Sequence, residues 1–232
     1  MCGRYYIDDT FQKELLTDFP SFREQAGALR ISSGDVRPTD AAPVIMAERS
    51  VMMSGTDRSV SRTGADPSCP RAEEEAADGN RKETGIWLTE AHWGFQENYD
   101  SRKKLLINAR TETSDTKAAF RYAMQAGRCV IPVSGFYEYT PDKVKVSFFR
   151  KEERVIYLAG CAKWTGEWRF VILTTSPNDD VKKVHDRMPV MLRQEDVRTW
   201  VCGRQIPKTL AEGWKPSLES YRPYEQMSLF DQ

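Results

Sequence analysis

The sequence predicts an α+β fold in which short helices flank a curved, largely antiparallel sheet or partial β-barrel. Short strand candidates outnumber helix candidates, and the two do not alternate as they do in a doubly wound parallel sheet. A length of 232 residues with 40% hydrophobic content is enough for one sizeable core. We therefore predict a single domain over residues 1–222 with a flexible insertion at about 48–84, followed by a C-terminal tail at 223–232.

The N-terminal part contains one predicted helix and one predicted strand before a long polar segment. In FQKELLTDF (11–19) the apolar residues recur at helical spacing, and Pro20 ends the helix. PVIMA (43–47) has the composition of a strand. From Glu48 to about Thr84 the chain is rich in Gly, Ser and charged residues, which indicates a mobile insertion.

A second amphipathic helix is predicted in SDTKAAFRYAMQAG (114–127). We expect Ser114 or Asp115 to cap it, Gly127 to end it, and its apolar side to include Tyr122 with two alanines. Two shorter helices are predicted in NDDVKKVH and QEDVRTWV.

The remaining strand candidates are short apolar stretches bounded by charged or turn residues. They are LLINA (105–109), RCVIPV and GFYEY on either side of Ser134–Gly135, KVSFF, VIYLAG, FVILTT and PVML.

Composition and motifs exclude several functional classes. The 34 basic and 34 acidic residues give a formal charge of zero, so any site for a polyanion must be local. The five cysteines form no CxxC pair, which argues against a disulfide framework and a cysteine zinc site. The chain also lacks a Walker A loop, a GxSxG elbow and an HExxH helix. No apolar run is long enough for a membrane span, so we expect a soluble protein without a membrane partner. The odd number of widely spaced cysteines fits the reducing cytoplasm. We further expect a monomer without metal or cofactor.

Cys2 stands directly behind the initiator methionine, in MCGR. Because a small second residue generally permits removal of Met1, we expect the mature chain to begin with an α-amine and a thiol on one residue. Both groups titrate about one to two units above neutral pH when unperturbed, so modest environmental shifts would activate them. An arbitrary second residue is the alternative.

Three polar residues are further candidates for chemistry, each with a structural alternative. His185 could carry protons near neutral pH or serve as a cap or core residue. Glu138 lies between aromatic residues that would raise its pKa, or it is the outward residue of an alternating strand. Asn108 follows an apolar strand and could simply satisfy backbone groups at the strand end.

The ordered set MCGR, WGF, NARTET, RCVIPVSGFYEY, TTSPN and VHDRMPV resembles the SRAP family, the SOS-response-associated peptidases. Its eukaryotic member is the embryonic-stem-cell-specific 5-hydroxymethylcytosine-binding protein. The similarity runs from Cys2 to about Leu192, interrupted by the insertion. It implies the SRAP fold and a response to DNA damage in which an abasic site in single-stranded DNA is capped by a thiazolidine crosslink to Cys2, with possible reversal and lyase activity.

The same resemblance implies roles for individual residues. Asn108 would orient the Cys2 terminus or the sugar, Glu138 would shuttle protons during Schiff-base formation, and His185 would serve sugar ring opening and crosslink reversal. One motif departs from the family pattern: SSGDVRPTDAAPVI has Asp35 where asparagine is common. The residues implied to contact DNA are Arg4, Pro38, Trp93, Arg110, Phe136 and Arg187.

Two other functions and one partner stay open from the sequence. Cys2 could instead attack amides with His185 as base, as in a cysteine peptidase, or the chain could read modified or single-stranded DNA without chemistry. The C-terminal QMSLF matches the pentapeptide that docks on the bacterial sliding clamp through Gln226, Leu229 and Phe230, and a frayed terminus is the alternative. Such partners would associate the protein with the nucleoid.

Overall fold

A computed structural model describes residues 2–29, 31–48, 85–99, 102–203 and 206–222. Within these ranges the chain has the predicted α+β architecture, with strands in two larger sheets and one hairpin. The strands are β1 Tyr5–Ile7, β2 Gly34–Val36, β3 Ala41–Ala47, β4 Ile86–Trp93, β5 Phe95–Tyr99, β6 Arg102–Leu106, β7 Asn108–Arg110, β8 Arg128–Val133, β9 Gly135–Tyr139, β10 Lys145–Phe149, β11 Ile156–Trp164, β12 Trp168–Thr175, β13 Met188–Pro189, β14 Met191–Leu192 and β15 Glu219–Tyr221. The α-helices are α1 Phe11–Asp18, α2 Arg23–Ala28, α3 Ala118–Ala126, α4 Asp179–Lys182, α5 Val197–Cys202 and α6 Lys208–Glu212.

Five strands of the larger sheet close into a barrel. The order β12-β4-β3-β8-β11 returns to its start because β11 pairs with β12, and only the β12–β4 pair is parallel. Gly160 in β11 permits this curvature, since a Cβ there would lie 2.6 Å from the Val171 carbonyl oxygen. The expected curved sheet is therefore confirmed, and its barrel is closed.

A second sheet with the order β15-β10-β9-β1-β2 is entirely antiparallel. On its neighbouring strands β9 and β10, alternate residues form the buried face, as the two-residue period of a strand requires. On β9 these are Phe136 and Glu138, and on β10 Val146 and Phe148, all at most 1% exposed. One strand thus presents a carboxyl group to the protein interior.

The chain passes from the barrel to this second sheet at Ser134–Gly135, where the sequence predicts two adjoining strands. β8 ends in the barrel at Val133 and β9 begins in the second sheet. The Ser134 hydroxyl accepts a hydrogen bond from the Asp8 backbone N–H at 2.9 Å. At Gly135 an added Cβ would lie 2.6 Å from the Phe148 carbonyl oxygen, so the crossing requires glycine.

The predicted LLINA strand divides into two strands with different partners. β6 pairs with β5 in a hairpin, whereas β7 pairs in parallel with barrel strand β12. The break falls at Ile107, because the chain there leaves the hairpin to join the barrel. Asn108 is consequently fixed beside Ile172 of β12.

The predicted helix at 114–127 is shorter than expected, since α3 begins at Ala118. The Ser114 hydroxyl donates to the Thr111 carbonyl in the preceding turn, so neither Ser114 nor Asp115 caps the helix. Phe120 and Ala123 form the buried side, and Tyr122 is 38% exposed, contrary to prediction. The expected end at Gly127 is confirmed.

Several predictions fall outside the described residues. These are most of the insertion, from residue 49 to 84, and the tail residues Gln226, Leu229 and Phe230. In the described part of the chain, no helix combines the length and the apolar character needed to cross a membrane.

Candidate active site

Cys2 lies just before β1 with its side chain fully buried. The Asn108 side-chain Nδ2 donates a hydrogen bond of 2.7 Å to the Cys2 carbonyl oxygen, so β7 holds the start of the chain in place. The thiol lies 3.6 Å from the Arg4 carbonyl oxygen. Burial raises the pKa of the Cys2 thiol far above its ordinary value, and the negative charge of Glu138 raises it further. The thiol is therefore neutral at physiological pH.

Glu138 points into the protein from β9 and is only 1% exposed. The alternative that it is an outward residue of an alternating strand is therefore wrong. Burial raises the pKa of its carboxyl group to about 7. A carboxyl with such a pKa can both give and accept a proton near neutral pH.

His185 follows α4, whose Asn178 cap accepts a hydrogen bond from the Val181 N–H at 2.9 Å. The His185 backbone N–H donates to the Val181 carbonyl at 2.8 Å, so the imidazole is attached to a capped helical turn. Its ring is 25% exposed. Partial burial lowers the pKa of His185, and the neighbouring Asp186 opposes that effect.

Electrostatic effects connect these three groups. The pKa values of Cys2, Glu138 and His185 are shifted mainly by burial, and each is also lowered by the positive charge of the amino terminus. Glu138 raises the pKa of the Cys2 thiol and Asp186 raises that of Glu138, so Cys2, β9 and the α4–β13 loop influence one another electrostatically. Strand β7 contacts Cys2 through Asn108.

Two buried polar atoms near Cys2 have no hydrogen-bond partner among the described residues. They are the Oδ1 of Asn108 and the hydroxyl of Tyr5, whose pKa is raised first by burial and then by Cys2. Buried polar groups are nearly always hydrogen-bonded to protein, water or ligand. These atoms are therefore available for a hydroxyl group or water at the site.

The predicted cationic residues differ in availability. Arg110 is exposed at the end of β7, two residues from Asn108. The Arg4 guanidinium lies 3.3 Å from Asp35 and is 28% exposed. Arg187 binds Glu112 through two hydrogen bonds of 2.7 and 2.9 Å. Arg110 and Arg4 thus fit a phosphate contact better than Arg187.

Trp93 and Phe136, the two aromatic residues predicted to stack on DNA bases, have fully buried rings. Trp93 packs on Tyr5 and donates its indole N–H to the Ile107 carbonyl at 2.9 Å. Phe136 stacks on Phe148 in the core at 5.4 Å between ring centroids. Both rings therefore lie in the core, Trp93 against Tyr5 of β1 and Phe136 against Phe148 of β10.

Pro38 is half-buried in the turn between β2 and β3. The next residue, Thr39, has a φ of 83° and donates its N–H to the Trp93 carbonyl at 2.8 Å. This turn therefore fixes Pro38 next to the WGF motif, with part of its ring accessible.

Sequence reasoning missed Tyr5, Glu112 and Asp186 at the site. Glu112 lies in NARTET and Asp186 in VHDRMPV. In both motifs the sequence suggested roles only for the neighbouring residues. The contact of Glu112 with Arg187 joins residues 75 positions apart, which no local pattern indicates. In the described ranges, no three His, Cys, Asp or Glu side chains are grouped so as to hold a metal ion.

The chain is similar in sequence to several abasic site processing proteins. The chain is 32% identical over 127 residues to the abasic site processing protein YoaM of Bacillus subtilis, a match that covers 49% of this chain and 56% of that protein. It is 27% identical over 150 residues to the abasic site processing protein YedK of Escherichia coli, covering 60% and 67%. The chain thus spans little more than half the length of the Bacillus relatives that it matches.

Two solved structures share the fold. A phage-related protein from Bordetella bronchiseptica superposes with a TM-score of 0.64 at 20% identity, over 97% of this chain and 95% of the other. A second protein from that organism gives 0.61 at 20% identity, over 97% and 100%. The family model described as SOS response associated peptidase (SRAP) matches residues 1–228. The ordered motifs, the barrel and this match together establish that the chain belongs to the SRAP family.

Proposed function

We propose that this protein processes abasic sites in single-stranded DNA by joining Cys2 covalently to the aldehyde of the damaged sugar. One observation carries the proposal: Asn108 binds the Cys2 backbone while Glu138, with a pKa of about 7, acts electrostatically on its thiol. The names of the curated relatives support the substrate class. The SRAP family model matches residues 1–228, a range that includes Cys2, Asn108 and Glu138.

The chemistry requires Met1 to be removed, because the α-amine of Cys2 must be free. That amine condenses with the sugar aldehyde to a protonated Schiff base and releases one water. The thiol sulfur then adds to the imine carbon, and its proton passes to a base. The product is a five-membered thiazolidine ring whose mass is that of protein plus DNA minus water. Holding all three groups together replaces a slow bimolecular reaction by a fast local one.

Each site residue has a task suited to its chemistry. The Asn108 amide positions the Cys2 backbone, and its unpaired Oδ1 would accept a hydrogen bond from a sugar hydroxyl. Glu138 would accept the thiol proton and assist loss of water, since its pKa lies near working pH. His185 would protonate the sugar oxygen during ring opening and reversal. Lyase activity would follow if the Schiff base eliminates before the thiol adds.

We propose that Arg4 and Arg110 contact the phosphates next to the abasic site. Both are charged side chains with at least partial exposure close to the residues that react. Pro38 would support a flanking base. Arg187 would contact phosphate only if it exchanged Glu112 for DNA, so we expect it to contribute less.

A cysteine peptidase would need something different from the same residue. Its thiol must ionise readily, usually beside a histidine, whereas burial strongly raises the pKa of the Cys2 thiol. The crosslinking reaction begins at the amine instead, and the thiol attacks an imine that is already activated. The thiol's environment therefore favours crosslinking over peptide hydrolysis. A protein that only binds DNA would not need a proton carrier such as Glu138.

The test is a denaturing gel of purified protein incubated with an oligonucleotide that contains one abasic site. We expect wild type to give a stable adduct and Cys2→Ala to give none. Cys2→Ser keeps the amine, so it should give an adduct only after borohydride reduction of the Schiff base. Cys202→Ala, which changes a half-buried thiol in α5, is the matched control and should crosslink normally.

Two outcomes would contradict the proposal. One is an adduct with an abasic site whose aldehyde has first been reduced to an alcohol. The other is normal crosslinking by Cys2→Ala. Binding without any covalent product would favour the passive reader, and cleavage of an added polypeptide that depends on the thiol would favour the peptidase.

We also propose that the tail docks on the sliding clamp through Gln226, Leu229 and Phe230, which fit its hydrophobic groove in sequence. Deletion of 226–232 should abolish capture by immobilised clamp and leave crosslinking of free oligonucleotides unchanged. Unchanged capture would refute this docking.

A further inference from the structure

The Nδ1 atom of His185 lies against two groups of opposite hydrogen-bonding character. The Arg187 backbone N–H donates to it at 3.0 Å, whereas a carboxylate oxygen of Asp186 lies 2.9 Å away. A nitrogen can satisfy the first partner only as an acceptor and the second only as a donor. The two contacts therefore belong to different protonation states of the ring.

In the neutral ring, the Arg187 N–H requires a lone pair on Nδ1, so the proton is on Nε2. In the charged ring, Nδ1 carries a proton, and the Asp186 carboxylate is placed to accept it. Nε2 holds a proton in both states. When the charged ring passes its Nε2 proton to an acceptor, the neutral ring that remains carries its proton on Nδ1, where the Asp186 carboxylate accepts the hydrogen bond and the Arg187 N–H no longer can donate.

The contact from Arg187 is itself held in place. The Arg187 guanidinium is bound by both Glu112 oxygens and donates to the Thr174 carbonyl at 2.6 Å. Thr174 belongs to barrel strand β12, so the loop that carries His185 is fixed to the barrel. The position of the Arg187 N–H therefore does not depend on an exposed loop alone.

We propose that Asp186 is a positioning residue for proton donation by His185: it accepts a hydrogen bond from Nδ1–H of the charged ring and continues to accept it after Nε2 has passed its proton to the substrate. This inference rests on the proposed function for its meaning in catalysis, but the tautomer is a property of the free protein. His185 and Glu138 then have opposite roles in proton transfer: His185 donates a proton to the sugar oxygen, and Glu138 accepts the thiol proton.

The charged groups around His185 determine how strongly Asp186 changes the pKa of the imidazole. Partial burial and then the amino terminus lower the pKa of the imidazole, and Asp186 raises it. Asp186 also raises the pKa of Glu138 on β9, which connects the two catalytic groups. Because Asp186 is 83% exposed, solvent screens its charge, and we expect an effect of about two- to five-fold on a rate.

The first test is nitrogen NMR of the free protein at a pH where both rings are neutral. The chain has two histidines; Nδ1 of His92 lies 3.1 Å from the Thr39 carbonyl and its Nε2 lies 3.4 Å from a Glu167 carboxylate oxygen, so that ring has an acceptor at each nitrogen. We expect His185 to show the Nε2–H form, with His92→Gln assigning the signals. An Nδ1–H form for His185 would overturn the inference whether or not crosslinking occurs.

The second test measures the pH dependence of crosslink reversal. Asp186→Asn should move the rising acid side of the profile to lower pH and slow reversal near neutral pH by about two- to five-fold. Asp186→Glu should restore most of the rate, and in a His185→Gln background Asp186→Asn should have a much smaller effect, due to Glu138 alone. An effect of full size in that background would mean that Asp186 acts otherwise than through His185. A chain that forms no crosslink would contradict the proposed function, and the NMR result would still decide the tautomer.

Discussion

Replacement of Glu138 by glutamine should stabilise the protein increasingly as pH rises. The carboxyl group is 1% exposed, and its folded-state pKa of about 7 stands above the ordinary value near 4.5. Between these two values the unfolded chain gives up a proton that the folded protein retains, so the stability of wild type falls as pH rises. Glutamine cannot ionise and avoids that loss. With about 1.4 kcal/mol for each pKa unit, the relative gain reaches about 3 kcal/mol above pH 7.

Urea denaturation of both proteins at intervals between about pH 4 and pH 8 measures this gain. The difference in unfolding free energy between Glu138→Gln and wild type should grow through that interval and then level off. Glu152→Gln, at an exposed position, controls for the loss of one surface carboxylate. A constant difference across the interval would refute the reasoning, because the carboxyl would then ionise as it does in water. The variant should also crosslink at least about a hundredfold more slowly, as expected for a lost proton carrier.

Three further predictions concern the surroundings of Cys2. Asn108→Ala removes the 2.7 Å bond to the Cys2 carbonyl and should slow crosslinking at least about tenfold in a gel time course, whereas a wild-type rate would contradict its positioning role. Phe136→Ala should cost about 3 to 5 kcal/mol of unfolding free energy by urea denaturation if the ring is a core residue, and much less if it is a base-stacking surface residue. Glu112→Gln should cost about 0.5 to 1 kcal/mol above pH 5 and less at about pH 3, because the Arg187 contact lowers the pKa of Glu112 and the stabilisation is lost as pH falls through that lowered pKa. Denaturation at the two pH values measures it, and equal costs would exclude the ion pair as their source.

Local patterns predicted much of the fold because many strands and helices in this chain are bounded by turn residues or glycine. The strands on either side of Ser134–Gly135 and the end of α3 at Gly127 agree with the sequence. Closure of the barrel could not be predicted, because it depends on the pairing of β11 with β12 and on space for the backbone at Gly160. The start of α3 was misplaced because Ser114 satisfies a turn carbonyl instead of a helix N–H.

The candidate site was predicted through the order of its motifs, whereas side-chain orientation was not. Aromatic residues beside cationic ones suggested a base-stacking surface, but Trp93 and Phe136 lie on the buried faces of their strands. Which face of a strand is buried depends on the sheets that pack against it, so a short motif alone leaves this open. The contact between Glu112 and Arg187 likewise depends on tertiary structure.

The central claim, a thiazolidine link at Cys2, is tested most directly by intact mass spectrometry of the protein before and after incubation with single-stranded DNA that carries one abasic site. We expect a protein that lacks Met1 and an adduct with the mass of protein plus DNA minus one water. Digestion of the adduct should identify Cys2 as the modified residue. A variant with a non-removable residue ahead of Cys2 should give no such adduct. Processed wild type that gains no DNA mass, or an adduct that persists when the α-amine is blocked, would contradict the account.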